Sequence, residues 1–393
     1  MAQTDQIVIV GAKRTAMGGF MGGLADVAAT DLGAVAIQAA LAQSGIAGDA
    51  VSEVLMGCVL PAGLGQAPAR QATLKAGLPL SAGATTLNKV CGSGLKTVMM
   101  AADLLKAGSA DVVVAGGMES MSNAPYLLPK ARSGMRMGHG EVKDHMMLDG
   151  LENAYDGKAM GCFAQLTANE EGFTREQMDA FAVQSLTRAQ QAIASGAFSN
   201  EIVPVQVQSR KGTVEFAIDE QPGNAKVDKI PTLRPAFAKD GTITAANSSS
   251  ISDGAAALVL MRESDAVAQD KAVLARVVGH ATHSQEPEKF TVAPVGAVNK
   301  LLQKLNWTTA DVDLWEINEA FAMVTMLAVK ALELDSAKVN VNGGACALGH
   351  PIGASGARIL VTLIHALKAR GLKRGIATLC IGGGEAVALA VEI

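Results

Sequence analysis

The chain carries two sets of short apolar runs that follow one another in the same order in its two halves. The matched pairs are residues 7–11 with 275–279, 54–59 with 312–317, and 111–117 with 376–383. Helical periodicity lies between such runs at 30–44, 95–106 and 175–195. Alternation of buried strands and helices predicts α/β architecture, and the repeated order indicates an internal duplication. Residues 339–342, which precede a glycine-rich helix start, are predicted to form one more strand of the second half.

The length of the chain predicts more than one domain. With 393 residues, of which 49% are hydrophobic, the chain exceeds what one ordinary core accommodates. We predict an N-terminal half from residues 1–118 plus 249–270 and a C-terminal half from residues 271–393. Residues 119–248 are rich in Met, charged residues and turn signals, and they predict an inserted loop domain over the end of a sheet. Ligands of α/β proteins bind in that region.

Charge and cysteine content argue against several functional classes. The net charge is −4 and no strongly basic tract occurs, so nucleic-acid binding has no electrostatic support. The five cysteines are odd in number and lack C-x-x-C spacing, which argues against a disulfide framework or a metal site. We see no secretory signal and no apolar run of the roughly 20 residues that a membrane span needs. These features predict a cytoplasmic protein without membrane contact, and the 18% charged content suggests an oligomer.

Cys91 lies just before the helix predicted at 95–106, in the segment NKVCGSG at 88–94. A helix N-terminus offers unpaired N–H groups and the positive end of the helix dipole, and both favour a thiolate, which is the reactive form of cysteine. The alternative is a buried structural cysteine that merely starts a helix.

Three further segments carry candidate groups for chemistry. His350 lies in a glycine-rich turn before a second-half helix, at the position that matches Cys91 in the duplication, so we expect both helix starts at a common centre. Cys380 ends an apolar strand, and the glycines from Gly382 onward expose N–H groups that can stabilise an oxyanion. Asn318 and Glu319 end another strand, where they could be simple caps, hold a water or orient the histidine.

These segments together resemble the motif set of the thiolases, which are acetyl-CoA acetyltransferases and 3-oxoacyl-CoA thiolases. The matching segments are NKVCGSG at 88–94, NEAF at 318–321, GHP at 349–351 and CIGGG at 380–384. The resemblance runs in order from residue 7 to residue 393. It implies a duplicated βαβαβ core in five αβαβα layers, a loop domain that binds CoA, and a homotetramer built as a dimer of dimers. It also implies acyl-CoA and CoA as substrates, with no cofactor beyond CoA.

The resemblance assigns roles to the candidate residues. Cys91 would carry the acyl group covalently, and His350 would take its proton. Cys380 would be the second acid/base, which removes or returns the α-proton of acetyl-CoA. His350 and a water held by Asn318 would stabilise the enolate oxygen, and the N–H groups of Cys91 and Gly382 would stabilise the tetrahedral oxyanion.

The CoA site is also assigned by resemblance, with three departures from the family pattern. Ala159 stands where many short-chain thiolases have a histidine, and an arginine that often packs on adenine has no clear equivalent, which leaves Lys226 or Lys229 as candidate groups for CoA. Phe290 stands near the acyl pocket where Met is frequent, so the acyl length stays open. The side chains expected along CoA are Leu151, Met160, Phe237, Ala245 and Ser249.

Several alternatives remain at this point. A decarboxylating ketosynthase of the same fold would show a Cys-His-His set, whereas this chain has Cys, Asn and His with a second cysteine. A catalytically silent acyl-CoA-binding relative would be expected to lack Cys91, His350 or Cys380. A longer-chain 3-oxoacyl-CoA thiolase of fatty-acid degradation also fits the motifs, because condensation and thiolysis are one reaction in two directions.

Overall fold

The computed structural model describes residues 5–210 and 212–393. Its strands are β1 (Ile7–Thr15), β2 (Gly18–Gly19), β3 (Glu53–Gly57), β4 (Gly83–Leu87), β5 (Val112–Ser120), β6 (Tyr126–Leu127), β7 (Lys143–Asp144), β8 (Ile202–Val203), β9 (Val205–Ser209), β10 (Gly212–Phe216), β11 (Ser252–Arg262), β12 (Ala275–Ser284), β13 (Leu314–Ile317), β14 (Arg374–Ile381) and β15 (Glu385–Glu392). Its α-helices are α1 (Ala29–Ser44), α2 (Pro68–Lys75), α3 (Ser93–Lys106), α4 (Met160–Glu171), α5 (Arg175–Ala194), α6 (Glu220–Asn224), α7 (Glu263–Ala268), α8 (Ala293–Leu305), α9 (Ala322–Ala331), α10 (Ala345–Leu348) and α11 (Ser355–Arg370).

The main sheet repeats one strand order on the two sides of its centre. Its strands follow the order β13-β14-β15-β12-β1-β11-β5-β3-β4. Outward from the antiparallel pair β1–β12, the series β1-β11-β5-β3 matches β12-β15-β14-β13. In each series the first two pairings are antiparallel and the last is parallel. The predicted duplication is therefore confirmed in both order and direction.

The helices and the two halves of the sheet form five layers. Helices α3 and α11 share one core with strand residues of both halves, so they lie between them. Helices α1 and α2 pack on the outer face of the first half, and α8 and α9 pack on the outer face of the second. Because both faces of each half are covered, most strands are buried along nearly their whole length, as their continuous apolar runs predicted.

Two glycines allow the first turns of α3 and α11 to touch. A Cβ added at Gly356 would lie 2.3 Å from the Leu95 nitrogen, and one added at Gly94 would lie 2.8 Å from the Ala357 nitrogen. Any side chain at either position would push the helices apart. The two helix N-termini therefore meet at the centre of the molecule, as the duplication predicted.

The strand predicted at 339–342 is wrong, because that segment makes only an isolated bridge between Val339 and Trp315. Asn340 has a φ of 46°, which turns the chain out of an extended course. The Asn340 side chain makes the hydrogen bonds to β13 that a neighbouring strand would otherwise make. Its Oδ1 accepts from the Ile317 N–H at 2.9 Å, and its Nδ2 donates to the Ile317 carbonyl at 2.8 Å. A periodic apolar pattern cannot reveal a side chain that substitutes for backbone pairing.

The residues between the halves contain α4, α5, α6 and two antiparallel strand pairs, β6–β7 and β9–β10. A buried ion cluster anchors this insertion to β1: Arg14 donates to Glu201 at 2.5 Å and to Asp219 at 2.7 Å, and all three side chains are fully buried. The division at residues 118, 248 and 270 stays a prediction. Of the helices within the described residues, none is long and apolar enough to cross a membrane.

Candidate active site

A cavity of about 430 Å³ opens where the N-termini of α3 and α11 meet. Four of the five predicted catalytic residues line it, namely Cys91, His350, Cys380 and Gly382. All five side chains predicted along CoA line it as well, at Leu151, Met160, Phe237, Ala245 and Ser249. The structure therefore brings together residues that are up to 291 positions apart in the chain, from Cys91 to Gly382.

Cys91 occupies a tight turn that the surrounding hydrogen bonds hold in place. The Gly92 N–H donates to the Lys89 carbonyl at 3.0 Å, which closes a four-residue turn with Cys91 at its third position. Val90 has a φ of 44°, a conformation that β-branched residues rarely adopt. The Ser93 hydroxyl stabilises the turn by accepting from the Lys89 N–H at 2.8 Å and donating to the Val90 carbonyl at 2.7 Å.

Burial of Cys91 opposes the thiolate form that its position before a helix favours. Helix α3 begins at Ser93, and burial raises the pKa of the Cys91 thiol to about 11, although the N–H groups of Gly382 and of Cys91 itself act to lower it. The desolvation of the charged form outweighs the nearby backbone dipoles. Cys91 is half-buried and lines the cavity, and its raised pKa favours the thiol at neutral pH, so its activation requires a base.

Ser355 sets the orientation and the tautomer of His350. The Ser355 hydroxyl donates its one proton to the Pro351 carbonyl at 2.8 Å, so it must accept from His350 Nδ1–H at 2.5 Å. Nε2 of His350 therefore carries the lone pair. Burial, with a smaller contribution from the Arg358 charge, lowers the pKa of His350 to about 3. At neutral pH the imidazole is uncharged and can take a proton at Nε2.

Cys380 is buried beside the nucleophile. Burial raises the pKa of its thiol well above the usual value, and the nearby Cys91 charge adds to this effect. Both cysteines are thus thiols at rest and both face one cavity with a neutral imidazole. Such a set can pass protons between groups without leaving a charge in the low-dielectric interior.

Asn318 contacts His350 but does not line the cavity. Its Nδ2 is 3.5 Å from His350 Nε2, and its buried Oδ1 has no hydrogen-bond partner in the part of the chain that the structure describes. Glu319 does not orient the histidine; it accepts from Ser185 Oγ at 2.7 Å, from Asn340 Nδ2 at 2.8 Å and from the Cys346 N–H at 3.0 Å. Glu319 therefore supports the turn that holds Asn318.

Ser355 and Glu119 also support the site, although no sequence motif predicted a role for either residue. The buried Glu119 carboxylate accepts from the N–H groups of Val59 at 3.0 Å, Leu60 at 3.1 Å and Gly353 at 2.8 Å. It ties a first-half loop to the segment that carries His350. Ser355 lies in the glycine-rich segment already singled out, but its role depends on a contact with a side chain five residues away.

We expect the change Ser355→Ala to slow alkylation of Cys91 by iodoacetamide by about tenfold at neutral pH, because the His350 tautomer with a free Nε2 is no longer enforced. The rate is measured by mass spectrometry of the peptide that contains Cys91. Ser44→Ala is the matched control, since Ser44 is also buried and hydrogen-bonded, at the end of α1. Equal alkylation rates in both variants would contradict the role of Ser355.

No group of three His, Cys, Asp or Glu side chains in residues 5–210 and 212–393 is placed to hold a metal ion. The candidate chemistry of the site rests instead on the two thiols, the imidazole and the backbone N–H groups around them. The CoA-related candidates form the walls of the cavity that leads to these groups.

Comparison with known proteins gives a consistent relationship over the whole chain. The thiolase N-terminal domain matches residues 7–264 and the thiolase C-terminal domain matches residues 271–393. The chain is 54% identical to an acetyl-CoA acetyltransferase of Escherichia coli K12 over 98% of both chains, and 52% identical to one of Chromobacterium violaceum over 98% of this chain and 99% of the relative. The crystal structure of the Bacillus anthracis acetyl-CoA acetyltransferase superposes with a TM-score of 0.97 at 41% identity over the full length of both. The chain belongs to the thiolase family.

Proposed function

We propose that this thiolase condenses two acyl-CoA molecules, with acetyl-CoA as one partner, to a 3-oxoacyl-CoA and CoA, and that it catalyses the reverse thiolysis. The observation that carries the proposal is the convergence of Cys91, His350 and Cys380 on one cavity. Relatives that are about half identical over the full length bear the name acetyl-CoA acetyltransferase, which supports the same reaction.

In the first half-reaction, the neutral His350 takes the Cys91 proton at Nε2 while the sulfur attacks the thioester carbonyl of acetyl-CoA. The N–H groups of Cys91 and Gly382, which face the Cys91 sulfur, stabilise the tetrahedral oxyanion. The carbon–sulfur bond to CoA then breaks, His350 passes the Nε2 proton to the CoA thiolate, and acetyl-Cys91 remains.

In the second half-reaction, the Cys380 thiol first passes its proton to Nε2 of His350, and the resulting Cys380 thiolate removes the α-proton of a second acetyl-CoA. The enolate oxygen accepts from the Nε2–H of His350 and from a water that the buried Asn318 Oδ1 can hold. The enolate carbon attacks acetyl-Cys91, a carbon–carbon bond forms, and the bond from the acetyl carbon to the Cys91 sulfur breaks. The Cys91 thiolate then takes the Nε2 proton of His350. Because burial favours the thiol of Cys380, this residue is also a ready proton donor in thiolysis. The scheme needs no group beyond these side chains and CoA.

The preference for short acyl groups is supported by Phe290. Its ring is 3% exposed, lines the cavity and packs in the same apolar cluster as Cys380. A buried aromatic ring in the wall of the cavity restricts the space for a long acyl chain. Ala159, which replaces a larger side chain of the family pattern, lies on the cavity wall together with Met160.

The function is tested by incubating the protein with acetyl-CoA and mapping the acyl group, followed by thiolysis assays over a series of 3-oxoacyl-CoA chain lengths. We expect one acetyl group on Cys91 and the highest kcat/KM for acetoacetyl-CoA. Absence of both acylation and thiolysis would support the catalytically silent alternative. A maximum of kcat/KM at a longer 3-oxoacyl-CoA substrate would favour the alternative of a longer-chain thiolase.

A second cavity supports a site for the phosphates of CoA. This cavity of about 320 Å³ shares Ala245 and Ser250 with the first, so the two adjoin. Lys226 and Lys229 line it, and the Lys229 side chain is 65% exposed. The one ion pair that Lys229 makes within the described residues is a long one, with Asp228 at 3.9 Å. CoA carries phosphates that need cationic partners.

We expect Lys226→Ala and Lys229→Ala each to raise the KM for acetyl-CoA by about threefold to tenfold, with kcat unchanged, because each removes one exposed charge partner. S-acetylpantetheine lacks the nucleotide phosphates, so its KM should not change. Lys271→Ala, which lies outside both cavities, is the control. An equal rise in the KM for acetyl-CoA and the KM for S-acetylpantetheine would argue against phosphate binding by these lysines.

A homotetramer built as a dimer of dimers is part of the proposal. Strand β4 ends the main sheet and its residues are exposed or half-buried, which is an edge available for a second copy. The strand pair β6–β7 and its loop carry exposed apolar side chains at Tyr126, Leu128, Met135, Met137 and Val142. Light scattering that gives the mass of one chain would contradict the proposal.

A cytoplasmic location and a role in fatty acid metabolism stay predictions.

A further inference from the structure

The two N–H groups that face the Cys91 sulfur belong to two different turns, one in each half of the core. The first turn runs from Lys89 to Gly92 and carries Cys91. The second joins β14 to β15 and carries Gly382, and its Gly384 has a φ of 88°. The two turns are far apart in the chain, so side chains that cross between the halves help to set their separation.

One ion pair makes this crossing. Lys89 Nζ lies 2.5 Å from Glu385 Oε2, with side-chain exposures of 21% and 32%. Lys89 is the first residue of the Cys91 turn, and Glu385 is the first residue after the Gly382 turn. On the other side of the turns, the Ile381 side chain packs on Gly92, where an added Cβ would lie 2.3 Å from Ile381 Cδ1.

Glu385 is a rigid anchor for this contact. Its backbone pairs with Ile381 of β14 on one side and with Ser284 of β12 on the other. The Ser284 hydroxyl also donates to Glu385 Oε1 at 2.9 Å, which fixes the carboxylate. Burial acts to raise the pKa of Glu385, but the hydrogen bonds from Lys89 and Ser284 outweigh it, so the carboxylate stays charged.

We propose that the Lys89–Glu385 ion pair is a clamp that sets the separation of the Cys91 and Gly382 N–H groups, and thereby the rate at which Cys91 is acylated. Both residues are positioning residues, because neither lines the cavity. The clamp acts on the oxyanion formed during acylation, so its loss slows acylation without weakening the binding of acyl-CoA. This inference rests on the proposed function.

The test compares Lys89→Met, Glu385→Gln, the double variant and Lys89→Arg by the rate of CoA release during the first turnover with acetyl-CoA. We expect about a fivefold to tenfold loss in each neutral single variant, the same loss in the double variant, and an unchanged KM. Lys89→Arg keeps the charge and should retain most of the rate. Glu392→Gln breaks a comparable half-exposed pair with Arg374 and should acylate like the wild type.

Alkylation of Cys91 by iodoacetamide at a fixed pH is the second measurement, and it does not require acyl transfer. Removing the negative charge of Glu385 would by itself lower the Cys91 pKa and speed alkylation, whereas displacement of the Gly382 N–H raises the pKa and slows it. We expect slower alkylation in Glu385→Gln. The clamp would be overturned if the single variants were acylated at the wild-type rate. It would also be overturned if the acylation rate of the double variant fell by the product of the two single losses. A wild-type protein that is never acylated would instead overturn the proposed function.

Discussion

Replacing Cys91 by alanine should abolish covalent labelling by acetyl-CoA and lower kcat for thiolysis by at least about four orders of magnitude. The N–H groups of Gly382 and of Cys91 itself face the Cys91 sulfur. They form the oxyanion site, which therefore lies next to this sulfur. No other thiol can form the same intermediate there. The measurement is mass mapping after incubation with acetyl-CoA, together with thiolysis of acetoacetyl-CoA.

Cys162→Ala is the matched control for this change, because Cys162 is also half-buried. It should leave labelling at Cys91 intact. Acetylation that persists in Cys91→Ala, on any residue and with turnover retained, would move the nucleophile elsewhere and would contradict the assignment.

Replacing Cys380 by serine should separate the two half-reactions. Acylation of Cys91 should continue, because His350 serves that step, whereas carbon–carbon bond formation should fall by about three orders of magnitude. An alcohol is a far weaker acid than a thiol, so serine cannot supply the base that removes the α-proton. Exchange of labelled CoA into acetyl-CoA measures the first step, and formation of acetoacetyl-CoA measures the second.

Cys346→Ser provides the control for this second change. Cys346 is half-buried with a strongly raised pKa, and its thiol donates to the Glu319 carbonyl at 3.7 Å, a contact that a hydroxyl can keep. In Cys346→Ser, the rate of CoA exchange and the rate of acetoacetyl-CoA formation should keep the ratio that they have in the wild type. If Cys380→Ser lost exchange and condensation equally, the division of labour between His350 and Cys380 would be wrong.

The patterns of apolar residues in the sequence predicted the strands of the main sheet and their duplication. The apolar runs encode strands buried on both faces, and their repeated order encodes the duplicated sheet, so both were predictable. The failure at 339–342 has a local cause: Asn340 replaces the backbone ladder with its side chain, and its positive φ ends the extended course. The four motifs identified which side chains to expect at the site, but they carried no information on hydrogen bonds between distant residues.

The sequence by itself determined the α/β class, the duplication, the family resemblance and the identity of the thiols and the imidazole. Only the tertiary structure decided their protonation, because the pKa of Cys91 and of His350 depends on burial that arises when two halves and an insertion close around one cavity. It also decided that Glu319 supports a turn, that Ser355 sets the histidine tautomer, and that Lys89 meets Glu385 across 296 positions. Local patterns specify elements, whereas desolvation and long-range contacts exist only once those elements have packed.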